Sequence, residues 1–294
     1  MRKTLTGSMT ALVTPIRDGG FDERAFRELI EFQIAGGTDG LVPCGTTGES
    51  ATLSHEEHDR VVEVCIAAAA GRVPVIAGAG SNSTSEALRL TRHAKEAGAD
   101  AALLITPYYN KPTQEGLFRH FAHVAERVDI PIVLYNVPGR TGVNLLPETV
   151  ARLAEIPNIV AIKEATADLR QAARIIELCG ETITVISGDD FTVLPMLAIG
   201  GKGVISVVSN IVPALMARLV DSFVAGDLAA ARAAHYRLFP LAEAMFIETN
   251  PIPVKTALGL MGKIDPEFRL PLCPMGEKNR ERLEAALRAA GLVG

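Results

Sequence analysis

A chain of 294 residues, 48% hydrophobic and 21% charged, carries enough apolar material for a large core, which excludes a disordered or collagen-like polymer. Its net charge of −5 and pI near 5.8 leave no electrostatic footprint for nucleic acid. No stretch approaches the ~20 apolar residues of a membrane span, and the N-terminal MRKTLTGSMTALVTP lacks the apolar run of a signal peptide, so the cytoplasm is the expected compartment.

In chain order, short apolar runs alternate with amphipathic segments. The runs are 8–15, 39–45, 73–80, 101–109, 131–138, 159–165, 184–190 and 203–210. They are rich in Val, Ile and Leu with weak alternation, as strands buried on both faces of a parallel sheet should be. The intervening segments read as helices. Asp22 opens the first. Ser54 opens the second, with Glu57 three residues on as a capping box. The third starts near Thr84 and ends at Gly98. Pro147 and Pro213 fit first helical positions.

Eight strand–helix units in order predict an α/β fold, a closed (β/α)8 TIM barrel. An open dinucleotide-binding sheet would show G-x-G-x-x-G after its first strand, and none is present. Beyond about residue 225 the strand signals stop, and 227–247, 252–261 and 276–290 read as helical. The expected organisation is a catalytic barrel over 1–225 and a C-terminal helical region over 226–294. The NPIPVK segment at 250–255 either lines the barrel or only joins helices.

The four cysteines, Cys44, Cys65, Cys179 and Cys273, have no metal-site spacing and read as small interior residues. The pairs His55/His58 and His120/His123 each sit one helical turn apart without an H-E-x-x-H arrangement. They read as exposed or partner-facing helix surface, and no metal is expected.

A TIM barrel places its active site at the C-terminal ends of its strands. Lys163 follows the apolar NIVAI, so its amine is expected at the barrel mouth. Burial there favours the neutral amine that Schiff-base chemistry uses. The competing reading pairs Lys163 with Glu164 or Asp189. Tyr135 ends the preceding strand and either shuttles protons or packs at the rim. The GTTGES turn at 45–50 is either a plain βα loop or a cradle of N–H groups for a carboxylate, with Thr47 as a proton relay. Arg140 is a carboxylate fork at the mouth or a surface arginine. Tyr109 is a proton relay or an interface residue.

Together GTTGES, TPYYNKPTQEG, YNVPGRTG, IKEAT, SGDD and GVISV, in that order, resemble the dihydrodipicolinate synthase family of pyruvate-dependent class I aldolases. The resemblance runs from SMTALVTP to NPIPVK. It implies that Lys163 forms an imine with pyruvate, with Tyr135, Thr47 and Tyr109 as a proton relay and Tyr109 supplied by a neighbouring subunit. It implies that the N–H groups of Thr46 and Thr47 hold the pyruvate carboxylate, and that Gly188 and Ile205 line the pocket. Arg140 would receive the carboxylate of L-aspartate 4-semialdehyde, giving 4-hydroxy-tetrahydrodipicolinate for lysine and diaminopimelate biosynthesis.

No cofactor is implied, because the imine is the electron sink. A homotetramer, a dimer of dimers, is. In lysine-inhibited members the matching positions for L-lysine are Ser50, Ala51, His55, His58, Asn82, Glu86 and Tyr108. The alternatives are N-acetylneuraminate lyase or a 2-keto-3-deoxy sugar acid aldolase, against which Arg140 and YYNKP weigh, and a non-catalytic keto-acid-binding homologue. A phosphate-handling barrel would show a glycine-rich loop after strands seven and eight, unlike GDD and SVVSN.

Overall fold

The computed structural model describes residues 5–294; the first four, within the stretch read above for targeting signals, lie outside the described residues. Eight strands form one parallel sheet: β1 Gly7–Ala11, β2 Gly40–Val42, β3 Ile76–Gly78, β4 Ala101–Ile105, β5 Ile132–Asn136, β6 Ile159–Glu164, β7 Thr184–Ser187 and β8 Gly203–Ser206. Their order, β2-β1-β8-β7-β6-β5-β4-β3, is closed by a parallel bridge between Leu41 and Val75. The sheet is a barrel, as the alternating pattern predicts.

Seven of the strands end two to four residues before their apolar runs do, and β6 ends one residue before its run. The runs continue because the residues just past the strands, such as Leu12, Val13 and Ala79, are buried as well. Pleating divides the rest into two layers. Met9, Val42, Ile76, Leu103, Val133, Ile186 and Ile205 fill the barrel interior. Leu41, Leu104, Leu134 and Ile162, one residue out of phase, face the helices. Lys163 is two residues on from Ala161 of the interior layer, so it too points inward.

The main helices between the strands are α1 Glu23–Ala35, α2 His55–Ala69, α3 Thr84–Ala97, α4 Gln114–Ala125, α5 Pro147–Ala154, α6 Leu169–Cys179, α7 Val193–Ala198 and α8 Pro213–Val224, and a further single turn, Pro138–Thr141, carries Arg140 after β5. The caps fall where local chemistry puts them. The Asp22 carboxylate accepts from Ala25 N–H, and Ser54 and Glu57 form the reciprocal capping box. Pro147 and Pro213 open their helices, and Gly98 ends α3 at φ +91°.

A small antiparallel hairpin, Ile16–Arg17 with Gly20–Phe21, was not among the expected elements. Its turn is Asp18-Gly19, both at positive φ, which is the two-residue geometry that an Asp-Gly pair signals.

Three more helices complete the chain: α9 Leu228–Met245, α10 Ile252–Leu260 and α11 Glu277–Ala289. Their apolar faces, including Leu238, Leu241, Val254 and Leu283, share one core with Val13, Leu29, Val193 and Val204 of the barrel. Among the described residues, no helix is long and apolar enough to cross a membrane. Cys44, Cys65 and Cys179 are buried, as expected, whereas Cys273 is exposed on the loop before α11, so the interior reading fails for it.

Candidate active site

At the C-terminal end of the barrel, β5 and β6 place Tyr135 and Lys163 side by side as register partners. Both are nearly enclosed, at 6% and 5% exposure, and the Lys163 Nζ lies 4.4 Å from the centroid of the Tyr135 ring. Neither suggested carboxylate pairs with this lysine. Glu164 alternates to the outer face, where it accepts from Thr166 N–H, Asn136 Nδ2 and Gln171 Nε2. Asp189 accepts from Phe191 N–H. Burial holds both carboxyls above their ordinary range. The Lys163 amine is thus not committed to either suggested ion pair, and a lysine amine in an enclosed site is the group that imine chemistry uses.

Gly188 follows β7 directly beneath the lysine stem. A Cβ there would meet Lys163 Cγ and Cε at 3.0 Å and Ala165 Cβ at 2.7 Å, so only glycine leaves the stem its path. Ile205, fully buried on β8, forms part of the interior layer alongside Met9.

The GTTGES turn follows β2. The two hydrogen bonds that close it are donated by Gly48 to Gly45 and by Glu49 to Thr46, leaving its shape independent of the Thr46 and Thr47 N–H groups. Thr14 donates its hydroxyl to Gly48 O at 2.7 Å and ties the turn to the segment that follows β1. Gly78 approaches so closely that a Cβ would lie 2.1 Å from Cys44 O. Thr47 is buried, and its Oγ1 accepts from Asn250 Nδ2 at 3.0 Å.

Asn250 opens the NPIPVK segment, whose role was undecided from sequence. Thr249, Asn250 and Pro251 line the cavity, so the segment forms part of its wall. The main-chain oxygen of Asn250 accepts from Arg140 Nη2 at 3.0 Å, which turns the exposed Arg140 toward the mouth. Five residues further on, Lys255 forms a wholly buried ion pair with Glu49, the left-handed residue (φ +53°) two positions after Thr47. These were missed as functional candidates. Their only signal was a charged residue in an otherwise apolar stretch, IPVKTALGL.

The cavity has a volume of about 610 Å³. Its lining includes Thr46, Tyr135 and Arg140 together with Ser50, Ala51, His55, His58, Glu86 and Tyr108, whereas Lys163 and Thr47 are not part of it. Asn82 is likewise not part of the cavity lining; its carbonyl accepts from Asn110 Nδ2. The Glu86 carboxylate already holds His55 at 2.8 Å and the Ser81 hydroxyl; the Ser81 bond and then the His55 bond keep it below the ordinary carboxylate range.

Tyr109 stands apart from this cavity. It is 90% exposed and held at φ +71°, a strained backbone for a non-glycine residue. A larger apolar groove of about 930 Å³, lined by Phe32, Pro213, Tyr236 and Leu241, lies among the helices and contains none of the strand-end residues.

The surface reading of the histidine pairs fails for one member of each. His58 and His120 are buried, and burial lowers each from 6.5 to about 4. Residues i and i+3 differ by about 60° around a helix, so one member sits inside the apolar stripe while the other sits at its edge. Among the described residues, no group of three or more His, Cys, Asp or Glu is placed to hold a metal ion.

Residues 4–290 match the model of the dihydrodipicolinate synthetase family. The chain belongs to that family. It is 62% identical over 289 residues to the 4-hydroxy-tetrahydrodipicolinate synthase of Nitratidesulfovibrio vulgaris (strain DP4), covering 98% of this chain and 99% of the relative. Among solved structures it is similar to the chloride-inhibited dihydrodipicolinate synthase of Acinetobacter baumannii complexed with pyruvate. The TM-score is 0.97 at 49% identity, covering 99% and 100% of the two chains. It also resembles the enzyme of Cyanidioschyzon merolae with lysine bound, at TM-score 0.94 and 42% identity, covering 98% and 99%. The family resemblance read from the motifs is therefore borne out over almost the whole chain, and the fold with it.

Proposed function

We propose that this chain condenses pyruvate with L-aspartate 4-semialdehyde to 4-hydroxy-tetrahydrodipicolinate, using Lys163 as the Schiff-base nucleophile. The observation that carries this reading is the enclosed Lys163–Tyr135 pair at the strand ends, with the Thr46-Thr47 turn and Arg140 at the same mouth. The Lys163 amine adds to the keto carbon of pyruvate, and water leaves to give the imine. Loss of a methyl proton gives the enamine, which attacks the aldehyde carbon and forms the new C–C bond. The amino group of the semialdehyde then displaces Lys163 as the ring closes.

Tyr135 and Thr47 carry protons in these steps. The N–H groups of Thr46 and Thr47 hold the pyruvate carboxylate, and Arg140 takes that of the semialdehyde as a fork. Gly188 and Ile205 shape the pyruvate pocket. The activity places the chain in lysine and diaminopimelate biosynthesis in the cytoplasm.

The exposure and strain of Tyr109 support a homotetramer, a dimer of dimers, in which this tyrosine completes a neighbour's relay. Ser50, Ala51, His55, His58, Asn82, Glu86 and Tyr108 form the candidate site for inhibition by L-lysine. The ionised Glu86 there suits an ammonium group.

The test is an assay with pyruvate and L-aspartate 4-semialdehyde coupled to a reductase and NADPH, beside Lys163→Ala. NADPH loss only in the unaltered protein is the expected result. Loss in neither, with borohydride still trapping pyruvate on Lys163, would overturn the proposed second substrate and move the reading to a sugar acid aldolase.

A further inference from the structure

We infer that Asn250 is a positioning residue that sets the direction in which the Thr47 hydroxyl gives its proton; this rests on the aldolase reading above. An amide nitrogen can only donate. Because Asn250 Nδ2 points at Thr47 Oγ1 from 3.0 Å, the hydroxyl oxygen must accept, and its own proton must be directed elsewhere. A hydroxyl that accepts at one lone pair is prepared to donate onward, which is the state a relay needs.

Three features say that this contact sets the geometry rather than filling space. Asn250 is 5% exposed, yet its Oδ1 is buried with no partner among the described residues, so its bond to Thr47 alone orients the amide. Its main chain is placed independently, since its carbonyl holds Arg140 at 3.0 Å. The buried Lys255–Glu49 pair joins the same two segments, five residues after Asn250 and two after Thr47. The segment is thus braced at both ends, and replacing the Asn250 side chain leaves the Arg140 contact and the ion pair in place.

The decisive variant is Asn250→Asp, which has the same shape but presents a carboxylate that only accepts. Thr47 would then donate to it and leave the relay. Steady-state rates and borohydride trapping of pyruvate are measured for the unaltered protein, Asn250→Asp and Asn250→Ala from about pH 6 to about pH 9. The expected result is a kcat for Asn250→Asp at least about ten-fold below the unaltered protein across this range, because the carboxylate stays ionised and cannot donate. KM for the second substrate should stay within about two-fold, because the Arg140 contact is to main chain.

Asn250→Ala leaves Thr47 free to turn and should lose less, again in kcat. If the aspartate variant does not fold, the alanine variant decides: loss in kcat supports the inference, and loss confined to KM overturns it. A kcat for Asn250→Asp equal to the unaltered protein's at every pH would also overturn it, since the amide would then present its oxygen to Thr47. An unaltered protein inactive in both assays would overturn the aldolase reading and this inference with it. An active one with unaffected variants would overturn only the role of Asn250.

Discussion

The Lys163 Nζ lies 4.4 Å from the centre of the Tyr135 ring because the two residues are register partners on adjacent parallel strands, both facing the barrel interior. The contact is to the ring face, so the phenol oxygen is not needed to place the lysine. Tyr135→Phe should therefore keep the fold and the lysine's position while removing the proposed proton carrier. The rate of borohydride-trappable imine formation should fall by about 10²–10⁴-fold, with the same final extent of labelling. An unchanged rate would take Tyr135 out of the relay.

Glu49 and Lys255 form an ion pair with almost no solvent access, at 1% and 0% side-chain exposure. Removing one partner strands the other charge in the interior. Lys255→Met should destabilise the protein by about 3–5 kcal/mol, and adding Glu49→Gln should recover part of that loss. Chemical denaturation of the single and double variants measures both. Equal stability of Lys255→Met and the unaltered chain would show that the pair is dispensable.

His58 and His120 are held neutral by burial, each lowered from 6.5 to about 4. The unfolded chain takes up protons at these positions below pH 6.5, whereas the folded chain does so only near pH 4. Their contribution is full above the unfolded value and is lost as pH falls through this window, by up to about 3 kcal/mol each. The denaturation midpoint should drop between neutral pH and pH 5, and His120→Gln should drop less. The same drop in both proteins would remove His120 from the account.

Tyr109 is 90% exposed on its own chain, as a residue destined for a neighbour's site would be. Tyr109→Ala and Lys163→Ala should each be nearly inactive alone. After subunit exchange, half of the random dimers hold one intact site, so about a quarter of the activity should return. No recovery, with exchange confirmed by mass, would place the Tyr109 role within its own chain or outside catalysis.

Much of this protein is determined by local sequence. The eight apolar runs dictate a parallel barrel because strands buried on both faces leave polar residues no place. Ser54 with Glu57, Pro147, Pro213 and Gly98 mark helix ends through bonds and φ values that depend on nearest neighbours. Lys163 and Tyr135 stand out because a lysine and a phenol at the ends of apolar strands have few structural uses, and the motifs around them belong together in one family. Other features depend on groups distant in the chain.

Nothing near Asn250 or Lys255 in sequence says that they meet Thr47 and Glu49, some 200 residues earlier; only folding α10 back across the mouth brings an amide to a hydroxyl and an ammonium to a carboxylate. The burial of His58 and His120 was likewise decided by which side of each helix the barrel covers. So were the exposure of Cys273 and the meeting of Thr46, Tyr135 and Arg140 with His55, Glu86 and Tyr108 in the wall of one cavity. Local signals set backbone conformation through short-range sterics and hydrogen bonds. Which polar groups lose their water, and which partner replaces it, is settled only when distant elements pack.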